Sequence, residues 1–543
     1  MLKGIAASAG AAVAQLFYLE EPDLSVTKET GLDPVQQHQR YEQAAAQAIR
    51  ELDGLYEKAR ATDENVAQVF DIHRMMLEDP DLIDGIDGLL DQGFNAEYAV
   101  RETADGLAAM FKAMEDEYMQ ARSADITDVG NRLIRVLKGI PDTAEFPEEP
   151  VIVAAEDLLP SQTVRLDKNR VAGFVTKLGS STSHSVILAR TLGIPCIVGM
   201  GDDYAKLPQS GLVAIDGSTG EVLPHPDEAA RADFTRRREA FLSDQAALEA
   251  YKDRKAVTKS GHKVLVCANI GGLGDIDAVI ARGGGGVGLF RSEFIYLDSP
   301  DFPTEEAQFE IYKEVLARLA PRPVVVRTLD LGSDKQAPYF GIKGEENPAM
   351  GYRAIRICLK QPDIFRTQLR ALLRASVYGK LNIMFPMITH LEQVLEIKTI
   401  LAQVRQELDK EGVPYSQDVE YGVMIETPAA AVMADVLAKE VDFFSIGTND
   451  LTQYTLAADR MNANISHLFD SGHPAVLRLI ERTAKAAHDA GIWVGICGES
   501  AANTALTGFY MSVGIDELSV SPAAILPLRK KIRGLDLSKE PET

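Results

Sequence analysis

Short apolar runs alternate with helical stretches through the second half of the chain. From about residue 262 there are eight such runs: VLVCANI (264–270), GVGLFRSE (286–293), PVVVRTLD (323–330), NIMFPMI (382–388), YGVMIET (421–427), DFFSIGT (442–448), WVGICGE (493–499) and ELSVS (517–521). Near-continuous apolar runs of this length are the pattern of parallel strands buried on both faces, and helical segments separate most of them. Eight strand–helix units over roughly 250–280 residues predict a closed (β/α)8 TIM-type barrel.

The first half follows other periods. Residues from about 33 to 142 carry apolar positions at three- and four-residue spacing in Ala-, Leu-, Glu-, Arg- and Met-rich stretches (41–61, 64–90 and 96–139), which predicts an antiparallel helical bundle. Between 149 and 223 the pattern shifts to short β runs, VIVAA, RVAGFVTK, PCIVGM and LVAIDGSTGEVL, and AAVAQLFYLE near the N-terminus reads the same way. The runs between 149 and 223 predict a compact α/β unit after the bundle. Residues 226–255 are polar and charged without a wide apolar face, the pattern of a linker helix. The fold class is therefore multidomain α/β. Its expected divisions are an α/β domain at 1–20 with 145–225, a helical subdomain at 21–144, a linker at 226–255 and the barrel at 256–543.

Composition narrows the setting. A chain of 543 residues exceeds a single core and suggests three or four domains. No apolar run approaches the ~20 residues that span a bilayer, and the N-terminus lacks the basic start and long apolar core of a signal peptide. Cys196, Cys267, Cys358 and Cys497 are scattered without metal-ligand spacing, which fits a reducing cytoplasm. A formal net charge of −24 argues against nucleic acid or an anionic membrane as partner.

Two places carry candidate chemistry. The first is GSSTSHSVILAR (179–190), where a β run leads through small hydroxylated residues to His184 and an apolar helix that Gly193 and Pro195 stop. Free N–H groups and a partial positive charge make a helix N-terminus suitable for phosphate, which a histidine there could carry. The local pattern is equally that of an ordinary N-cap. The second place is the set of barrel strand ends: Arg291-Ser-Glu293, Arg327-Thr-Leu-Asp330, Glu426-Thr427, Gly447-Thr-Asn-Asp450 and Cys497-Gly-Glu499. In a barrel these converge on the face where active sites sit. Arg291 and Arg327, with Arg353 and Arg460 from loops, suit a substrate bearing phosphate and carboxylate. Glu426 and Asp450 are hard oxygen ligands of the kind that hold Mg2+. Arginines with magnesium and no obvious base make a phosphoryl-transfer site. Cys497 is either a proton donor to a leaving enolate or a buried small apolar residue. No glycine loop has the spacing of a nucleotide-binding P-loop.

These residues stand in motifs that resemble the phosphoenolpyruvate–protein phosphotransferases, the enzyme I family of the bacterial sugar phosphotransferase systems. The resemblance runs over nearly the whole chain: TSHSVILAR around His184, GVGLFRSEF (286–294), VVRTLDLGSDK (325–335), NPAMGYRAIR (347–356), IMFPMI (383–388), MIETPAA (424–430), VDFFSIGTNDLTQYTLAADR (441–460) and CGE (497–499). It implies that phosphoenolpyruvate binds at the barrel mouth, with Mg2+ on Glu426 and Asp450. Arg291, Arg327 and Arg460 hold the substrate, with Asn449 assisting and Arg353 nearby. It implies that His184 takes the phosphate, through Nε2 with Nδ1 held by a hydroxyl such as that of Thr182, and that Cys497 protonates the enolate to give pyruvate. Phospho-His184 then passes its phosphate to the carrier protein HPr, docked on the helical subdomain. The resemblance also implies a cytoplasmic homodimer formed through the barrel.

The chain leaves the pattern in places. Ser180-Ser181 stand where a glycine and an arginine are usual, Ser333 replaces a glycine, 502–514 match poorly, and the C-terminus is expected to lack a closing helix or two. Pyruvate–phosphate dikinases and phosphoenolpyruvate synthases share the two modules, but need an ATP-binding domain for which the ~110 helical residues offer no phosphate-cradling loop. A phosphoenolpyruvate sensor without turnover, and a paralogue serving a nitrogen-regulatory carrier, are the other readings. The complete set of catalytic positions argues against the first, and the expected absence of an N-terminal sensory domain against the second.

Overall fold

The computed structural model describes the chain except residues 20–22, 61–63, 113–116, 141–146, 159–169, 180–183, 298, 333–336, 343–344, 461, 463 and 539–543. Ser180, Ser181, Thr182 and Ser333 thus lie outside the described residues. Two compact units divide between Gln245 and Ala246.

The first unit is built on strands β1 (Leu2–Lys3), β2 (Ile5–Ser8), β3 (Ala11–Tyr18), β4 (Val151–Ala155), β5 (Val171–Thr176), β6 (Cys196–Val198), β7 (Leu212–Asp216) and β8 (Glu221–Pro224). They form one sheet in the order β1-β8-β7-β3-β4-β5-β6-β2. The edge strands β1 and β2 are consecutive in sequence, separated by Gly4 alone, so the sheet curls round on itself. A Cβ at Gly4 would lie 2.6 Å from Ile197 Cγ2, so the crossing tolerates only glycine. Parallel neighbours β3 and β4 pair at Gln15–Tyr18 and Val151–Ala154. The whole helical bundle is inserted between them.

The bundle contains helices Pro34–Arg60, Glu64–Leu77, Pro80–Asp91, Ala96–Lys112 and Glu117–Leu137. Its core includes Leu52, Phe70, Ile86, Leu90, Val100 and Leu133. The stretch expected as one helix over 64–90 is two. Pro80 stands at the first helical position and Asp79 caps it, accepting a hydrogen bond from Asp81 N–H at 2.9 Å. Proline has no N–H to continue the preceding helix, and its fixed φ is ready-made to start another. Beyond β8, helix Glu228–Glu249 sets Phe234 against Ala11 and Ala214, and Arg237 Nη1 reaches Asp216 and Glu221 at 3.0 Å each.

The second unit is a closed barrel of eight parallel strands: β9 (Leu265–Ile270), β10 (Val287–Arg291), β11 (Pro323–Arg327), β12 (Lys380–Phe385), β13 (Glu420–Ile425), β14 (Phe443–Ile446), β15 (Trp493–Ile496) and β16 (Glu517–Val520). Every predicted run overlaps one of them, with β12 and β13 beginning one or two residues earlier than expected. Outward-facing residues join the surrounding helices in the main core. Leu289, Val325, Met384, Met424, Phe443 and Cys497 form a separate inner cluster. Below it the interior turns polar, where Cys267 Sγ donates to Glu517 Oε2 at 3.3 Å and Asn382 Nδ2 to Glu420 Oε2 at 3.0 Å. All four cysteines are buried free thiols, and among the described residues no helix is long and apolar enough to cross a membrane.

Burial pushes the Glu517 carboxyl up to about 7, with Asp516 and Glu420 adding to it. The fold therefore favours the protonated acid. The contribution is complete below the ordinary glutamate range, is lost as pH rises through about 7, and is level above. Glu517→Gln is expected to flatten the fall in stability between about pH 5 and 7, and to gain on the order of 1–3 kcal/mol at pH 8. Urea midpoints across pH, unchanged between the two proteins, would refute this.

Candidate active site

The first candidate residue stands where the sequence places it along the backbone. Helix His184–Leu192 begins at His184. Val186 and Ala189 pack this helix on Val153, Phe174 and Val198, while Arg190 Nε donates to Ala7 O at 2.9 Å. The helix that carries His184 is thereby fixed on the sheet.

The second constellation gathers at the C-terminal ends of the barrel strands. Arg291 ends β10 and Arg327 ends β11, directly paired in register. Glu426 follows β13, Asn449 and Asp450 open helix Thr448–Leu456 after β14, and Cys497 follows β15. Arg353 reaches in from the long β11–β12 connection and Arg460 from beyond the Thr448 helix. One buried charge network joins most of these groups. Arg327 contacts Glu293 at 2.6 Å and Asp330 at 2.7 Å. Arg353 contacts Asp330 at 2.9 Å and Asp450 at 3.2 Å, and Arg460 lies 3.5 Å from the other Asp450 oxygen. Burial works against the charge on Arg327 and Arg353, and the surrounding carboxylates more than offset it, so both stay cationic. The Nε atom of each is buried and has no hydrogen-bond partner among the described residues, a donor available to an anion. Arg291 is partly exposed and has no carboxylate partner among the described residues.

Glu426 is buried and accepts a hydrogen bond from Met387 N–H at 2.5 Å. Burial first, then Asp450 and Asp330, push its carboxyl up to about 8. A buried carboxyl pushed up in this way, beside other acidic groups, marks a place where a divalent cation would favour the ionised form. Among the described residues no group of three or more His, Cys, Asp or Glu side chains is placed to hold a metal. Two carboxylates fit Mg2+, which keeps waters and takes substrate oxygens for the remainder of its shell. Backbone strain also concentrates here. Ala354, Met387 and Ala457, at φ 54, 57 and 51, are left-handed non-glycine residues flanking Arg353, Glu426 and the Thr448 helix.

Cys497 sits at the edge of this network, buried, with its N–H on Ile446 O at 3.1 Å and Sγ 3.8 Å from the same oxygen. Burial pushes its thiol up to about 12, so it keeps its proton at neutral pH. Asn449 Oδ1 accepts from Glu499 N–H at 3.0 Å, tying the 497–499 turn to the Thr448 helix. A Cβ at Gly498 would lie 2.0 Å from Thr448 Oγ1, so only glycine fits between them.

The sequence reading named the arginines, Glu426, Asp450 and Cys497 but passed over four supporting residues. Asp330 and Glu293 stand in the quoted strand ends; the Asp330 pair with Arg327 is a local one at three-residue spacing, whereas the pairing of Glu293 with Arg327 across β10 and β11 has no trace in spacing. Tyr454, whose hydroxyl accepts from Arg353 Nη1 at 3.2 Å, lies one turn after Asp450 and was open to helical spacing. Asn269, a lone polar residue in VLVCANI, donates from Nδ2 to Cys497 O at 3.0 Å.

Comparison with known proteins places this architecture. Residues 245–537 match the model of the PEP-binding domain of PEP-utilising enzymes, 147–220 that of their mobile domain, and 3–122 their N-terminal region. The chain is 46% identical over 542 residues to the phosphoenolpyruvate-protein phosphotransferase of Listeria monocytogenes, covering 99% of this chain and 95% of that one. It is 46% identical over 549 residues to that of Enterococcus faecalis, covering 100% and 95%. With the Bacillus subtilis protein of the same name it shares 45% over 538 residues, covering 98% and 94%. Matched along nearly its whole length by these relatives, and by the domain models of PEP-utilising enzymes, the chain belongs to the phosphoenolpyruvate–protein phosphotransferase family.

Proposed function

We propose that the protein transfers the phosphoryl group of phosphoenolpyruvate to Nε2 of its own His184, and then to a histidine of HPr, releasing pyruvate. This is the first general step of sugar uptake by a phosphotransferase system. The observation that carries the reading is the buried network of Arg327, Arg353, Glu426 and Asp450 beside a thiol that stays protonated.

Arg291 and Arg460 supply guanidinium groups to the substrate's phosphate and carboxylate, and Arg327 and Arg353 present their free Nε–H donors from behind. Asn449 assists. Glu426 and Asp450 hold Mg2+, which when bound neutralises charge on the phosphate. The His184 imidazole attacks phosphorus in line, and the bond from phosphorus to the enol oxygen breaks. Cys497 then gives its proton to C3 of the enolate, and the thiolate recovers a proton from water. A thiol held up to about 12 suits this task, because it reaches the enolate protonated.

In sequence the polar helix Glu228–Glu249 follows the α/β domain at 1–20 with 145–225 and precedes the barrel at 256–543, and the proposed linker at 226–255 includes it. It serves as the linker about which His184 moves between substrate and HPr. The inserted helices at 21–144 dock HPr. The protein works in the cytoplasm as a homodimer joined through its barrels, and its four free thiols fit that compartment.

Incubation with phosphoenolpyruvate, Mg2+ and purified HPr, followed by mass spectrometry, tests the reading. Phosphate is expected on His184 and on an HPr histidine, with one pyruvate per phosphate transferred. Phosphate elsewhere on the chain, or labelling by ATP instead, would overturn it. Cys497→Ser is expected to bind phosphoenolpyruvate normally and to form pyruvate about 10²-fold or more slowly. Unchanged turnover would remove the acid role from Cys497.

A further inference from the structure

The carbonyl of Cys497 lies beyond the reach of the sheet. β15 pairs with β16 only at Gly495–Glu517 and Ile496–Leu518, and the chain then turns into the Glu499–Ala502 turn. A buried carbonyl left without a donor is costly. The donor comes from two strands away. Asn269, next to last in β9, reaches over the end of β16 and gives its Nδ2–H to Cys497 O at 3.0 Å. Its Oδ1 accepts from Ser519 Oγ–H at 2.6 Å, and Ser519 is fully buried. The amide orientation follows from chemistry, since a carbonyl only accepts and the NH2 group must face it.

The Cys497 segment is thus held from several sides. Its N–H is fixed on Ile446 O, its C=O by Asn269, and the N–H of Glu499 by Asn449. These contacts set the peptide planes on either side of Cys497, and with them the direction of its Cα–Cβ bond. A thiol that protonates one face of an enolate depends on that direction, because a displacement of ~1 Å costs about 10²-fold in rate.

Resting on the acid role proposed for Cys497, we propose that Asn269, oriented by Ser519, is a positioning residue for the proton transfer. It holds the Cys497 main chain so that Sγ–H faces C3 of the enolate. In the step it supports, the S–H bond breaks as the C3–H bond forms from the enolate electron pair, and water reprotonates the thiolate. The hydrogen bonds of Asn269 run to Cys497 and Ser519 and not to Glu426 or Asp450, so in this proposal phosphoryl transfer does not depend on it.

Asn269→Asp in the full chain tests this at pH 8. Aspartate keeps the shape and the acceptor for Ser519, but sets an anionic oxygen against the Cys497 carbonyl. Phosphoenolpyruvate carrying tritium stereospecifically at C3 is turned over with Mg2+ and HPr in deuterium oxide, and the chirality of the pyruvate methyl group is read. The parent is expected to give one methyl configuration. The variant is expected to keep KM for phosphoenolpyruvate and single-turnover phosphorylation of His184 within about twofold, to release pyruvate about tenfold more slowly and to give a largely racemic methyl group. A single configuration with Asn269→Asp would overturn the proposal. So would an equal loss of phosphorylation and chirality, which is the mark of a merely structural role. Ser519→Ala, expected to give a weaker effect of the same kind, serves if the aspartate variant does not fold. Cys497→Ser in the same assay separates the two ideas: chirality retained there refutes the acid role itself, whereas chirality lost there but kept in Asn269→Asp and Ser519→Ala refutes only the role of Asn269.

Discussion

His184→Ala is expected to abolish phosphoprotein formation from phosphoenolpyruvate. The imidazole is the nucleophile in the proposed reaction, and alanine offers nothing in its place, so the loss should exceed about 10⁴-fold. The barrel is left untouched, because His184 belongs to the helix His184–Leu192 of the first unit and the arginines and carboxylates to the second. Binding of phosphoenolpyruvate with Mg2+ should therefore survive, and calorimetry on the variant checks it. Mass spectrometry of the intact protein after incubation with phosphoenolpyruvate checks the main result, and a chain still labelled would sink the assignment. A fragment of residues 1–230 is expected to take phosphate from phospho-HPr but not from phosphoenolpyruvate, since the histidine and the donor site lie on different units.

How much of this is legible in the sequence depends on the kind of residue. The eight barrel strands are, because a parallel strand covered on both faces writes an unbroken apolar run, and each run from VLVCANI to ELSVS overlaps one strand. The residue types at their ends were legible too, since a polar group closing an apolar run has few places to go but the barrel mouth. The break at Asp79-Pro80 was written in the chain and was missed because apolar spacing continues on both sides of it. What spacing does not carry is who pairs with whom. Arg327 with Glu293 links adjacent strands, and Arg353 with Asp330 and Asp450 links a long connection to two strand ends. Such contacts depend on barrel closure, which sets residues from distant segments side by side. The roles assigned at the site came from the family's motifs. The buried network, the unpartnered Nε donors and the raised carboxyl of Glu426 came from the fold.

Asp330→Asn is expected to be the most damaging substitution among the residues the sequence reading passed over. Asp330 is buried and shared: one oxygen lies 2.7 Å from Arg327 Nη1 and the other 2.9 Å from Arg353 Nη2. Asparagine keeps the shape and removes the charge, leaving two buried guanidinium groups with less compensation than burial demands. Removing one partner from a buried ion pair typically costs about 3–5 kcal/mol. Glu293 and Asp450 still face these arginines, at 2.6 and 3.2 Å, so the low end of that range is the better expectation. Thermal unfolding of the barrel should then begin on the order of 5–10 °C lower, and kcat/KM for phosphoenolpyruvate should fall about 10²-fold as Arg327 and Arg353 leave their places behind the substrate. Adding Arg353→Met separates the two losses. Replacing a buried charge together with its partner by groups of similar volume is often close to neutral for stability, so the double variant should regain much of the lost melting temperature. Activity should not return, because the Arg353 donor is gone. Recovery of kcat/KM along with stability would mean that Asp330 supports only the fold, and that the arginines it holds do not act on the substrate.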